Sequence, residues 1–201
     1  MAVAAVLLAA GGSERMGQPK ALLPWIGGET LVEYQVAQLL AAGVEVVAVV
    51  VGDDADRVIP LVARDGVEPI VNERWRDGRA GSVRVGTAAV PRDTDTALIV
   101  NVDQPRPAAV YRALLDAHLA GAAQVTRAVH AGAHGHPIVL SRAALAEARN
   151  VVDETQGLRA VIDRHRATLL EVPFDDPVVL LDINTLEDYE RAKVTFGQYT
   201  S

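Results

Sequence analysis

Two cations and two carboxylates, widely separated along the chain, are the residues of this sequence best suited to chemistry. Arg15 and Lys20 stand five residues apart in the loop Leu8-Ala9-Ala10-Gly11-Gly12-Ser13-Glu14-Arg15-Met16-Gly17-Gln18-Pro19-Lys20. Small residues let backbone N–H groups approach a phosphate chain closely, and the cations neutralise it. Asp103, in Asn101-Val102-Asp103-Gln104-Pro105, and Asp182, in Leu181-Asp182-Ile183-Asn184-Thr185, each follow an apolar run. Carboxylates so placed suit Mg2+, which takes one or two of them together with phosphate oxygens and water. The combination reads as a site for a nucleoside triphosphate at the mouth of a parallel sheet.

Each element of that reading has a plainer alternative. Neither GxxxxGK[ST] nor GxGxxG fits the first loop, because Gly17 is followed by Gln18 and Pro19 before Lys20. Pro19 also breaks any helix leaving the loop, so an extended cradle is expected in place of a helix N-terminus. An ordinary strand-to-helix turn would have a similar composition. Asp103 also fits a turn before a proline-started helix, and Asp182 fits a helix cap. A second glycine-bearing loop, Asn72 to Ser82, offers Arg79 for phosphate and Ser82 for a base or sugar, or is simply a helix start. His130, His134 and His136 cluster before Pro137. Without a cysteine or a nearby acid they make a poor zinc site, and contact with an anionic acceptor or a plain polar loop fits better.

The elements that must position these groups alternate. Strands are expected at Ala2–Leu8, Glu45–Val51, Glu68–Val71, Ala97–Asn101, Ala123–Ala128, Pro137–Leu140, Leu169–Val172 and Val178–Leu181. Helices are expected at Thr30–Ala42, Ala55–Ala63, Gly81–Ala89, Pro107–Ala120, Arg142–Ala148, Gly157–Arg164 and Thr185–Thr195. Near-continuous apolar strands separated by helices point to a doubly wound, three-layer α/β domain. Thr30 with Glu33 spells a capping box, Gly43 suits the end of the first long helix, and Thr185 suits the start of the last. Asp153 to Arg159 reads as a capped helix start. Ala128 to Pro137 reads as a loop or hairpin. Ligands of such sheets sit beyond the carboxyl ends of the strands, where the loops after Leu8, Val71, Asn101 and Leu181 would meet.

The 201 residues suffice for one well-buried domain spanning 1–201, and apolar residues make up 50 %. Cysteine is absent, which excludes disulfides and thiolate metal sites and fits a reducing cytoplasm. No apolar run is long enough to span a bilayer, so no membrane partner is expected. The net charge of −7 argues against nucleic acid. A phosphorylated small molecule remains compatible if cations gather in one cleft, with Arg15, Lys20, Arg76, Arg79 and Arg84 as candidates.

Taken in order, these segments resemble the MobA-like NTP transferases. Leu8 to Gly17 with Lys20 is similar to the family's signature, and Arg15-Met16-Gly17-Gln18-Pro19-Lys20-Ala21-Leu22-Leu23-Pro24 looks most like the molybdenum cofactor cytidylyltransferases. Gly78, Ser82 and Gly86 match the Gly-Met-x-x-Ser-x-x-x-Gly segment. Val102-Asp103-Gln104-Pro105, Gly135-His136-Pro137 and Asp182 to Tyr189 match three more. The resemblance implies a Rossmann-like three-layer α/β/α domain with a mostly parallel central sheet, of the nucleotide-diphospho-sugar transferase type. It implies Mg2+-dependent nucleotidyl transfer with Arg15, Lys20 and Asp103 as catalytic groups. Leu8, Ala9, Ala10, Gly11, Gly12, Ser13, Arg15, Lys20, Gly78 and Ser82 would bind the nucleotide, and Asp103 and Asp182 the metal. His136 and Arg159 would face the acceptor.

Ala10 favours CTP over GTP within that resemblance, with a phosphorylated pterin-type acceptor and a molybdoenzyme as the recipient of the product. Three departures bear on the acceptor. Arg79 replaces the usual Met, Asn184 replaces the usual Asp, and Asp153 to Arg159 keeps only part of the usual Gly-Asp-x-Gly-Ala-Arg. The alternatives are the same fold acting with GTP or on another phosphorylated acceptor such as a sugar phosphate, and a non-catalytic cofactor-binding or insertion protein.

Overall fold

The computed structural model describes residues 1–11, 17–153 and 156–199. Gly12, Ser13 and Arg15 of the expected nucleotide site lie outside them.

The described residues form a seven-stranded sheet in the order β3-β2-β1-β4-β6-β5-β7. Its strands are β1 (Val3–Leu8), β2 (Val46–Val51), β3 (Val67–Val71), β4 (Thr96–Asn101), β5 (Val125–His130), β6 (Ala133–Ser141) and β7 (Leu169–Pro173). Of these, β6 runs against β4 and β5, and the other pairings are parallel. The helices are α1 (Leu31–Ala41), α2 (Ala55–Val62), α3 (Arg79–Ala89), α4 (Ala108–Leu119), α5 (Arg142–Ala148), α6 (Leu158–Arg164) and α7 (Leu186–Gly197). The expected α/β class and mostly parallel sheet are therefore present. No helix of the described residues is long and apolar enough to cross a membrane.

Burial on both faces explains the unbroken apolar strands. Ala5 and Leu7 of β1 point into a core shared with α1, α4 and α7, while Ala4, Val6 and Leu8 point into a second core with α3, α5 and α6. The two-residue period of a strand feeds both layers at once. Helix α3 comes unusually close. A Cβ on Gly86 would lie 2.3 Å from Val6 Cγ1 and 2.7 Å from Val50 Cγ2, so this glycine of the resemblance is a packing requirement.

The helix ends follow the sequence. Thr30 and Glu33 form the expected capping box, and Gly43 takes a positive φ after α1. Thr185 caps α7 and is joined there by Asp188 in a second capping box.

Two expectations are corrected. Val178–Leu181 is not a strand: Pro177–Leu180 is a single 3-10 turn, opened by Asp176, whose side chain accepts from Val178 N–H at 2.8 Å. Val178 and Val179 are buried all the same, and a short apolar run carries no signal that separates turn from strand. Asp153 does not cap its own helix. Its carboxylate accepts from the N–H of Ala80 at 3.1 and 3.2 Å and so caps α3. Gly78 permits this, with φ of 133° and a missing Cβ that would sit 2.1 Å from the Asp153 carboxylate. The segment around His130 to His136 is the hairpin option, its turn made by Ala131 and Gly132 with β6 already begun at Ala133.

Candidate nucleotide site

The carboxyl ends of the parallel strands open into a cleft of about 640 Å³. Its floor is the first loop. Ala9 N–H donates to the Val50 carbonyl and Val102 N–H to the Leu8 carbonyl, which extends the sheet's hydrogen bonding past the ends of β1 and β4. Leu8, Ala9, Ala10 and Gly11 then line the cleft with small side chains and backbone. Beyond Pro19 the chain makes only a short 3-10 turn, Lys20–Leu22, as a proline at that point requires.

That turn aims Lys20 into the cleft. Its Nζ donates to Asp103 Oδ2 at 2.8 Å and to Asn184 Oδ1 at 3.2 Å. Asn184, where the resemblance expects Asp, keeps the acceptor oxygen but not the charge. Asp103 and Asp182 both line the cleft, and Ile183 N–H donates to the Asp103 carbonyl at 2.9 Å. That bond sets the residue after Asp182 against Asp103. Asp182 is not needed as a helix cap, since Thr185 and Asp188 serve α7.

The opposite wall comes from the second loop. Ser82 Oγ accepts from the Asn72 side-chain amide at 3.0 Å, and both residues are buried. Arg79 donates to Asn101 Oδ1 at 2.8 Å, and the Asn101 amide donates in turn to Gln104 Oε1 at 2.6 Å. Crowding by protein pulls the Arg79 guanidinium below the usual arginine value, while Asp103, Asp182 and Asp153 oppose that shift. Trp75 and Arg76 complete the wall, with the Arg76 guanidinium 4.3 Å from the Trp75 ring centroid and both side chains donating to Asp53. A cation stacked on indole and tied to a carboxylate is held in one orientation.

Lys20, Arg76 and Arg79 thus gather as expected, and Arg84 does not. It lines a separate hollow beside Asn72 and Asp153. Gly78 and Ser82 line the cleft, whereas His136 and Arg159 are not among its lining residues. Arg159 is an exposed residue of α6, 3.8 Å from Asp163. His136 is half-buried, and burial, reinforced by Arg79 and Arg106, pushes its imidazole down to about 4 against the pull of Asp182. It is therefore a neutral hydrogen-bonding group at pH 7. His134 turns instead to Arg127, 2.7 Å away. No group of three or more His, Cys, Asp or Glu that could hold a metal occurs among the described residues.

Sequence reasoning missed two residues beneath the site. Gln35, fully buried on α1, donates from Nε2 to the carbonyls of Asn101 and Val102 and accepts from the Tyr111 hydroxyl, so it holds the Asp103 loop from below. Arg106 lies buried between Pro105 and Pro107, where a Pro-Arg-Pro run reads as an exposed turn. A charged residue flanked by prolines right after a candidate metal carboxylate was the available hint.

The pair Asp103 and Asp182 fits a hard divalent cation by its donor chemistry. It offers oxygen ligands only, too few to enclose the ion, and they face a cleft open to phosphate oxygens and water.

Comparison with known proteins bears on the family and the fold. Residues 5–169 match the MobA-like NTP transferase domain. Nicotine blue oxidoreductase of Paenarthrobacter nicotinovorans is 31 % identical over 202 residues, covering 94 % of this chain and 95 % of that protein. Molybdenum cofactor cytidylyltransferase of Escherichia coli K12 is 27 % identical, covering 98 % of each. Among solved structures, Rv0371c of Mycobacterium tuberculosis H37Rv superposes with a TM-score of 0.83 at 29 % identity, covering 96 % of this chain and 98 % of that one. A second structure of Rv0371c is a complex with manganese. The chain belongs to the MobA-like NTP transferase domain family of nucleotidyltransferases.

Proposed function

We propose that this protein moves a CMP group from CTP to the terminal phosphate of a molybdopterin-type cofactor and releases pyrophosphate. The convergence of Lys20, Asp103 and Asp182 on one cleft floored by Ala9, Ala10 and Gly11 carries the reading. The E. coli cytidylyltransferase supports the chemistry, and Ala10, which makes the loop read Ala9-Ala10-Gly11, supports cytidine.

An acceptor phosphate oxygen attacks the α-phosphorus. The new P–O bond forms as the bond to pyrophosphate breaks, and the acceptor phosphate and the triphosphate are both anionic from the start. No strong general base is needed, and the barrier is repulsion between phosphates. Lys20 exchanges Asp103 for a triphosphate oxygen and, with Arg15 of the first loop, holds the charge of the departing pyrophosphate. Leu8 to Ser13, with Gly78 and Ser82, present backbone and hydroxyl groups to the nucleoside. Asp103 and Asp182 would hold Mg2+, which when bound would supply neutralisation of phosphate charge. The manganese complex of Rv0371c supports a divalent ion of this type. His136 would offer the acceptor a neutral nitrogen; Arg159, exposed on α6 and outside the cleft, has no contact there among the described residues that supports the acceptor role the resemblance implies. The protein works in the cytoplasm and hands its product to a molybdoenzyme.

Pyrophosphate release with CTP, molybdopterin and Mg2+ tests this. The nicotine blue relative favours a second reading, oxidoreductase chemistry at the same cleft with a reduced dinucleotide as the hydride donor. A chain that reduces nicotine blue when supplied with such a donor, and releases no pyrophosphate from any nucleotide, supports that reading over the first.

A further inference from the structure

We propose that Arg106 is the positioning residue of the acidic pair: it ties together the three segments that carry Asp103, His136 and Asp182 without touching the cleft. This rests on the reading of Asp103 and Asp182 as cation ligands.

Arg106 is 1 % exposed and is the largest of the fully buried side chains. Its guanidinium is satisfied by backbone oxygens. Nη1 donates to the Pro105 carbonyl at 2.7 Å, Nε to the His136 carbonyl at 3.0 Å and Nη2 to the Val179 carbonyl at 2.8 Å. Each carbonyl belongs to a different segment. Pro105 lies two residues after Asp103, His136 is on β6, and Val179 is in the 3-10 turn three residues before Asp182. Nothing in the sequence brings these segments together, and the fork of a guanidinium can bind three oxygens in fixed directions at once.

Burying a cation this way is costly unless it serves something. Burial pushes the guanidinium down to about 10, opposed by Tyr111 and by the charges of Asp182 and Asp103. The acidic pair is thus part of the environment that keeps the arginine charged, and the arginine frames the pair. The junction is also tight. A Cβ on Gly135 would lie 2.5 Å from the Val179 carbonyl oxygen, so β6 presses directly on the turn that Arg106 holds.

The test compares the full-length protein with Arg106→Lys, Arg106→Gln and Gly135→Ala, using Mn2+ alone as probe, followed by spin resonance, and CTP binding in the presence of EDTA. Lysine keeps the charge but offers a single point of donation. Gly135→Ala displaces the turn while leaving the arginine in place. All three variants are expected to bind Mn2+ about tenfold or more weakly, as for loss of groups that orient metal ligands, with metal-free CTP affinity within about twofold of the parent. Folded Arg106→Lys protein with unchanged Mn2+ affinity overturns the proposal. So does a parallel loss of Mn2+ and CTP binding, which marks general loosening. If both Arg106 variants fail to fold, unchanged Mn2+ affinity in Gly135→Ala overturns it. A parent protein that binds Mn2+ but not CTP counts against the nucleotide reading alone, and the Mn2+ affinities still decide the role of Arg106.

Discussion

The Lys20 ammonium lies 2.8 Å from Asp103 Oδ2, so the cation expected to hold phosphate is paired with the carboxylate expected to hold metal. Both side chains are partly open to solvent, at 18 % and 26 % exposure, so the pair can be exchanged for a nucleotide and a cation without unfolding anything. Lys20→Met is therefore expected to reduce pyrophosphate release by about 100-fold or more, as for loss of a group that stabilises developing charge. Its stability should stay within about 1 kcal/mol of the parent, as for a partly exposed ion pair. Turnover and denaturant unfolding measured on one preparation check both. Full activity in the variant removes Lys20 from the chemistry.

Asp182 has a role to lose that is separate from folding. With α7 capped by Thr185 and Asp188, Asp182→Asn should leave the melting temperature unchanged. The half-saturating Mg2+ concentration should rise about tenfold or more, because a hard cation loses one of two anionic ligands. A Mg2+ titration of turnover distinguishes this from a carboxylate of no consequence.

His136 should leave a signature in stability against pH. Its folded value of about 4 lies below the free imidazole value of 6.5, so between these the unfolded chain binds more protons. Stability attributable to this residue is complete above pH 6.5 and falls as the pH drops toward 4, by at most about 3 kcal/mol. Urea unfolding of the parent and of His136→Gln at pH 4.5 and 7.5 should show a smaller acid loss in the variant. Parallel curves would place the imidazole in water.

Gly86→Ala tests the packing that places the second loop. The added methyl would overlap Val6 and Val50, and a cost of about 1–3 kcal/mol is expected from overpacking. Chemical denaturation gives the value. A neutral effect would mean that α3 stands further from the sheet.

The elements that carry local signals were legible in the sequence. The Thr30–Glu33 capping box, Gly43 after α1 and the apolar β-branched runs of β1, β2 and β4 state their conformation in residues next to one another. Asp103 and Asp182 were legible because each follows an apolar run, and Lys20 because it stands in a glycine-bearing loop. What depended on distant partners was hidden. Asp153 caps α3, 73 residues away, instead of its own helix. Val178 and Val179 are apolar because β6 covers a turn, not because they extend a sheet. Arg106 is charged in sequence and buried in the fold, because the carbonyls that satisfy it come from three separate segments.

Pyrophosphate release from CTP and from GTP, each with molybdopterin and Mg2+, tests the central claim most directly. Faster release from CTP than from GTP, dependent on acceptor and on divalent metal, is the predicted result. Absence of release with either nucleotide, from protein that is folded and supplied with acceptor and metal, would contradict it.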